Sequence, residues 1–272
     1  MKLLNGAELV DNMKERQAKQ VRALRQTWYV NPRLAIVSTT DDPVAAKYLA
    51  IKQSYGQDIL VDVDVHQTTM AEVTEVIDRL NADTSVHGII IQLPLADPTM
   101  TDTVVDQVDP AKDVDGLGKH AVLDAPTAVA INWLLAGYNV ELKNRTIVIV
   151  GNGRLVGSPL AQMWRDSGLD VMVVDDTHSD LESTLLGADI IVTAAGVPGL
   201  VSSDMVRPDS VVVDAGTSSE NGRIVGDVAD DVRERHDLTI TPQIGGVGPL
   251  TVCALFDNVI RAARATASSD PA

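Results

Sequence analysis

The sequence predicts an α/β protein of two parallel-sheet domains, and three features carry that prediction. Short apolar runs rich in Val and Ile alternate, in two series, with helix-length amphipathic segments, which is the order of βαβ units. Hydrophobic residues make up 45% of the chain but aromatics only 3%, with Phe256 the sole phenylalanine, so the core is built of Val, Ile, Leu and Ala, as sheets buried on both faces require. Finally, the β-branched run Thr146–Val150 leads into Gly151, Gly153 and Gly157 and then Pro159-Leu-Ala-Gln-Met-Trp, the first turns of a helix. At 272 residues there is ample material for one large or two smaller cores.

Taken in order, Ala7–Trp28 has helical spacing and Arg33–Val37 reads as a strand. Pro43–Tyr55 reads as a helix, with Asp42 placed to cap it. Ile59–Val65 is expected to be a second strand, Thr69-Met-Ala-Glu72 a capping box for a helix to about Leu80, and Gly88–Gln92 a buried strand stopped by Pro94. This first series, residues 1–120, is expected to form its own domain, completed by a C-terminal helix 247–267. Ala125–Tyr138 reads as a linking helix. The second domain, 125–246, then runs through strand Thr146–Val150, a helix to Ser167, strand Asp170–Val174, a short helix at Leu181–Leu186, strands Ile190–Ala194 and Ser210–Asp214, and a last strand at Thr239-Ile240. That alternation is Rossmann-like. Gly245-Gly-Val-Gly-Pro249 opens the final helix with Pro249 in its first turn, and the tail Ser268–Ala272 is expected to fray.

A formal net charge of −16, with no dense Lys/Arg cluster, argues against nucleic acid or an anionic membrane as partner. Cys253 is the sole cysteine, which excludes an intramolecular disulfide and a cysteine metal cluster. The N-terminus has no apolar h-region, and no apolar run approaches the roughly 18 residues of a membrane span, so a cytoplasmic protein is expected.

The glycine loop at 151–157 would let backbone N–H groups approach a diphosphate, with the helix dipole facing its charge. Its spacing, G-x-G-x-x-x-G, is one residue longer than the usual fingerprint and also suits a tight strand-to-helix turn that binds nothing. Tyr48 and Lys52 share one helix face, and a phenol beside an ammonium can shuttle a proton. Gln92 ends a buried strand, where α/β ligands bind. Lys112-Asp-Val-Asp-Gly116 sets two carboxylates two apart, suited to a cation, to the amidine-like edge of a heterocycle, or simply to an Asp-rich turn.

In this order the motifs resemble one family. Tyr48-x-x-x-Lys52, Gly88-Ile-Ile-Ile-Gln-Leu-Pro-Leu95, Pro110-Ala-Lys-Asp-Val-Asp-Gly116, Val150-Gly-Asn-Gly-Arg-Leu-Val-Gly-Ser-Pro159 and Thr241-Pro-Gln-Ile-Gly-Gly-Val-Gly-Pro-Leu-Thr251 are similar to the methylenetetrahydrofolate dehydrogenase/cyclohydrolases. Ala188-Asp-Ile, Gly226-Asp-Val and Asn258 continue the match, which runs from about Leu34 to Ala263. The resemblance implies a cleft between two α/β domains, with a tetrahydrofolate derivative on the first, NAD(P) on the second, and a homodimer. It implies oxidation of 5,10-methylenetetrahydrofolate and hydrolysis of the methenyl product to 10-formyltetrahydrofolate. By the same resemblance Lys52 is the essential lysine, Tyr48 stacks on or orients the folate, Gln92 tunes the lysine and Asp115 grips the pterin. Leu93, Gly248 and Pro249 join these four on the substrate side. Gly151, Asn152, Gly153, Arg154, Val156, Gly157, Asp175, Asp176 and Thr217 are the expected dinucleotide-side residues, and no metal is expected.

The departures from the family pattern carry information too. Asn152-Gly153 replaces the family's common Arg-Ser, and Asp175-Asp176 stand where relatives often carry groups for a 2′-phosphate. Asp175 lies 24 positions after Gly151, near the roughly 20 expected of an acidic residue on a ribose 2′-hydroxyl, so the sequence leans towards NAD, with Arg154 holding a phosphate as the other reading. The folate-side rim is remodelled: the segment from Gly116 to Thr127 is short, Ala45 replaces a serine, and Ile244 replaces a proline. A monofunctional NAD-dependent dehydrogenase and a non-catalytic folate- or nucleotide-binding paralogue therefore stand as alternatives.

Overall fold

The computed structural model describes residues 2–220 and 223–269. The chain begins with strand β1 (Lys2–Leu3) and helix α1 (Ala7–Thr27). β2 (Arg33–Ser38), α2 (Pro43–Ile59), β3 (Asp62–Gln67), α3 (Val73–Ala82), β4 (Gly88–Ile91) and α4 (Thr101–Val105) follow. α5 (Pro126–Gly137) leads to β5 (Ile147–Val150), α6 (Gly157–Asp166), β6 (Val171–Val174), α7 (Leu181–Leu186), β7 (Ile190–Thr193) and β8 (Val211–Asp214). The hairpin β9 (Ser218–Glu220) and β10 (Arg223–Val225), α8 (Asp230–Arg233), β11 (Thr239–Ile240) and α9 (Val247–Ser269) come last.

Two compact units result. The first holds Asp11–Pro126 and the last helix from Val252 onward; the second holds Thr127–Thr251 and the chain up to Val10. The first unit contains a parallel sheet of order β3-β2-β4, with Leu34 opposite Gly88 and Val37 opposite Ile91. β4 is wholly buried and β2 nearly so, and Ile77, Leu80, Val104 and Val105 pack on one face. α9 closes the first unit: Phe256 stacks on Tyr55 of α2 at 5.0 Å between ring centroids, and Gln17 of α1 donates to the Cys253 carbonyl at 2.8 Å. The second unit contains a six-stranded parallel sheet of order β1-β11-β8-β7-β5-β6. Its central strands β5 and β7 are buried throughout, and Val148, Val150, Ile191 and Val212 join one aliphatic cluster.

Several expectations need correction. The N-terminus does not fold with residues 11–120: β1 pairs with β11, Lys2 opposite Thr239 and Leu3 opposite Ile240, so it extends the second sheet. Leu4 is fully buried there, and a Cβ on Gly6 would fall 2.0 Å from the Gly246 carbonyl oxygen. A two-residue edge strand has no periodicity to read, and only its distant partner defines it. The second strand forms, but it starts at Asp62 rather than Ile59. α2 continues to Ile59 and ends in a Schellman turn, with Leu60 at φ 66°, Leu60 N–H on the Gln57 carbonyl (3.3 Å) and Val61 N–H on the Gly56 carbonyl (2.9 Å). A short apolar run is ambiguous between a buried strand and a buried helix end, and here Ile59 belongs to the helix while residues 62–65 belong to β3. The capping box does not form. Thr69 Oγ1 donates to the Glu72 carboxylate at 3.1 Å, and α3 starts at Val73, three residues after the Met70 that such a box would make its first. β1, α4, the hairpin and α8, all of five residues or fewer, are too short for periodicity to reveal. α9 runs on to Ser269; the last three residues of the tail lie outside the described residues.

Candidate active site

In the first unit the polar groups gather at the carboxyl ends of the strands. Asp42 caps α2, its carboxylate accepting from the Ala45 N–H at 3.1 Å, which fixes where the helix begins. Tyr48 and Lys52 then follow one turn apart on the same helix, both half-buried. Gln92 comes directly after β4, and its backbone N–H is tied to the Val37 carbonyl at 2.8 Å. Its side-chain amide donates to the Leu93 carbonyl at 2.9 Å, which turns its Oε1 towards Lys52 Nζ, also at 2.9 Å. Desolvation lowers the Lys52 pKa, opposed by the charge of Asp115. Asp115 is pushed up to about 6, first by burial and further by Asp113, while Lys52 pulls it down. The pair is thus a weakened acid and a weakened base that stabilise each other's charged forms.

The two carboxylates of the Lys112–Gly116 segment have different jobs. Ile89 N–H bonds the Lys112 carbonyl at 2.7 Å, so the segment runs alongside β4. Asp113, buried, accepts from the Gly116 and Gly118 N–H groups at 2.9 and 2.8 Å and shapes the turn from within. Burial raises its pKa against the pull of these bonds. Lys112 donates to the Leu80, Asn81 and Asp83 carbonyls at 2.7–3.0 Å and closes the end of α3. Asn258 of α9 donates to the Val114 and Asp124 carbonyls, both at 2.9 Å, and holds the short rim in place. Asp115 is left as the carboxylate coupled to Lys52. Among the described residues no group of three or more His, Cys, Asp or Glu side chains could hold a metal ion.

In the second unit β5 has β6 on one side and β7 on the other, so the chain's direction of winding reverses between β5 and β7. Ligands of open α/β sheets bind in the crevice at such a reversal. The glycine loop leaves β5 at this point. Gly151 has φ 101°, and a Cβ there would lie 2.5 Å from the Ala194 carbonyl oxygen at the end of β7. A Cβ on Gly157 would lie 1.9 Å from the Gly151 carbonyl oxygen, so α6 starts there, two residues before Pro159, packed on the loop. Gly153 differs: a Cβ would have only the Ala194 carbonyl oxygen nearby, at 4.0 Å. Asn152, Gly153 and Arg154 are exposed and Val156 half-buried, which leaves the loop backbone open on one side, a cradle suited to a diphosphate.

Asp175 and Asp176 are both exposed just beyond β6. Asp175 accepts from Thr177 N–H and Oγ1 at 3.0 and 2.6 Å, bonds that hold its carboxyl below the ordinary range. Thr217 is exposed after β8, and Gly248 and Pro249 open α9 in this second unit. Asp214, Asp227 and Arg233 converge beneath the ends of β7 and β8, and in the sequence only the Gly226-Asp-Val motif marks them.

Together, a parallel sheet with a glycine-loop crevice and a separate unit centred on a desolvated lysine define a dinucleotide-dependent enzyme class. Comparison with known proteins narrows this. Residues 4–115 match the tetrahydrofolate dehydrogenase/cyclohydrolase catalytic domain, and residues 125–267 match the NAD(P)-binding domain of the same family. The bifunctional protein FolD of Exiguobacterium sibiricum is 32% identical over 275 residues, covering 96% of this chain and 99% of the relative. The crystal structure of the bifunctional FolD enzyme from Campylobacter jejuni superimposes with a TM-score of 0.92 at 32% identity, over 98% of this chain and 99% of that one. The Trypanosoma brucei dehydrogenase-cyclohydrolase, solved with NADP and an inhibitor, gives 0.89 at 26% identity over 97% of each. The chain belongs to the tetrahydrofolate dehydrogenase/cyclohydrolase family.

Proposed function

We propose that this chain catalyses both reactions of its family, with Lys52 as the proton-transferring group and NAD as the preferred oxidant. The reactions are oxidation of 5,10-methylenetetrahydrofolate to the methenyl cation and hydrolysis of that cation to 10-formyltetrahydrofolate. The carrying observation is the 2.9 Å bond from Lys52 to Gln92 in a desolvated site coupled to Asp115. When bound, the dinucleotide accepts the hydride; the residues suited to hold it are Gly151, Asn152, Gly153, Arg154, Val156, Gly157 and Thr217, with Asp175 and Asp176 at the adenosine ribose. The chain's own part in oxidation is to bind and orient the folate, Tyr48 against its rings and Asp115 on the pterin, with Leu93, Gly248 and Pro249 as further contacts. In hydrolysis Lys52 Nζ, whose pKa desolvation lowers, takes a proton of the attacking water as the water oxygen bonds to the methenyl carbon, while Gln92 Oε1 keeps the amine in line. The N5–C bond then breaks as the remaining hydroxyl proton passes to N5, which leaves the formyl group on N10.

Two exposed carboxylates beyond β6 disfavour a 2′-phosphate by repulsion and suit a ribose 2′-hydroxyl, which supports NAD. Oxidation rates with NAD and NADP, measured side by side, test this; faster turnover with NADP would shift the phosphate to Arg154 and sink the preference. Hydrolysis of methenyltetrahydrofolate without nucleotide tests the second activity. Among the described residues no helix is long and apolar enough to cross a membrane. Cytoplasmic placement and a homodimer, with no nucleic-acid or membrane partner, complete the proposal, and light scattering of the purified protein checks the assembly.

A further inference from the structure

Beneath the ends of β7 and β8 two aspartates interlock. Asp214 ends β8, with its side chain only 4% exposed. Its carboxylate accepts from the Thr193 hydroxyl (2.9 Å) and from the N–H groups of Gly216, Asp227 and Val228 (3.1, 3.1 and 3.2 Å), and it pairs with Arg233. Arg233 also donates to the Thr241 carbonyl at 2.7 Å. Asp227 is fully buried, and its carboxylate takes the Ala195 N–H at 2.6 Å and the Val197 N–H at 2.8 Å. Two glycines make the room reciprocally: a Cβ on Gly216 would fall 2.1 Å from Asp227 Cγ, and one on Gly226 would fall 1.9 Å from Asp214 Oδ2.

The turn that Asp227 holds is not arbitrary. Residues 195–197 leave β7 directly opposite the glycine loop, at the point where the Ala194 carbonyl crowds Gly151. Ser218 Oγ donates to the Gly196 carbonyl at 2.7 Å and braces the same turn from another direction. A carboxylate in a nest of backbone N–H groups is a stiff anchor, because charge-assisted bonds are shorter and stronger than neutral ones. Burial and the neighbouring Asp214 raise the Asp227 pKa, while the N–H groups of the turn lower it.

We infer that Asp227 is a positioning residue for the dinucleotide: by binding the N–H groups of Ala195 and Val197 it sets the far lip of the switch-point crevice, and it takes no part in hydrolysis. This rests on the assignment of the dinucleotide to the second unit. In Asp227→Asn an NH2 replaces one acceptor and meets an N–H head on, so the turn loosens without loss of volume.

The test is calorimetric titration of the full chain with NAD and with NADP, alongside methenyltetrahydrofolate hydrolysis without nucleotide. Asp227→Asn is expected to weaken binding of the preferred dinucleotide at least tenfold while hydrolysis stays within twofold of wild type. Equal losses in both, or unchanged binding, would overturn the inference. If Asp227→Asn does not fold, Ser218→Ala decides, since it loosens the same turn without disturbing a buried charge. A severalfold weaker dinucleotide with normal hydrolysis supports the inference, and wild-type affinity overturns it. Wild-type titration checks the underlying reading separately: no dinucleotide binding at all would remove both.

Discussion

The two sites are made of different material. In the first unit the reactive features are side chains, Lys52, Gln92 and Asp115, whose properties come from burial and from one another. In the second unit the feature is backbone, shaped by the absence of side chains at Gly151 and Gly157. A side-chain site can be retuned one group at a time, because each group has its own charge and pKa. A backbone site tolerates changes in its exposed side chains and fails when a Cβ enters where the chain approaches itself.

The largest test of this contrast is Lys52→Met, expected to cut methenyltetrahydrofolate hydrolysis by about 10²–10⁴-fold, the usual range for a general acid–base group, with dinucleotide affinity unchanged. Parallel loss of dinucleotide binding in titration would show that the sites are not separable. Next comes Gly157→Ala. The new Cβ, 1.9 Å from the Gly151 carbonyl oxygen, forces the loop to move, and dinucleotide affinity should drop about 100-fold, roughly 3 kcal/mol, while hydrolysis without nucleotide persists. Asn152→Ala, on the exposed side of the same loop, is the control and should change affinity far less.

Asp115→Asn sharpens the electrostatic half. Burial pushes the wild-type carboxyl up to about 6, so activity that needs its charge falls as pH drops through that value. The Asn variant should be slower and lack this acid limb; an unchanged limb would assign it to another group. Gln92→Leu should act more mildly. The amide oxygen accepts from the ammonium and so favours its charged form; without it the Lys52 pKa falls further, and the rise of hydrolysis with pH moves to lower pH. Asp176→Ser is expected to have the smallest effect, a severalfold shift of the NAD-to-NADP rate ratio towards NADP, with hydrolysis unaltered.

The site was legible to different depths. Tyr48, Lys52 and Gln92 could be placed because helix spacing and a strand terminus are local features. The division of labour between Asp113 and Asp115 could not, because it depends on which carboxylate the Gly116 and Gly118 N–H groups reach. The Gly226-Asp-Val motif was visible as a pattern, but its use depends on the loops after β7 and β8 coming together.

By itself the sequence determined the two α/β series, the aliphatic cores, the glycine loop and the family, because strand and helix periodicities and turn residues are short-range constraints on the backbone. Tertiary structure alone decided that β1 completes the second sheet, that Ile59 ends a helix and β3 starts only at Asp62, and that burial draws the Lys52 and Asp115 pKa values towards each other. Each of these depends on groups distant in sequence, since desolvation and strand pairing have no value until the chain is packed.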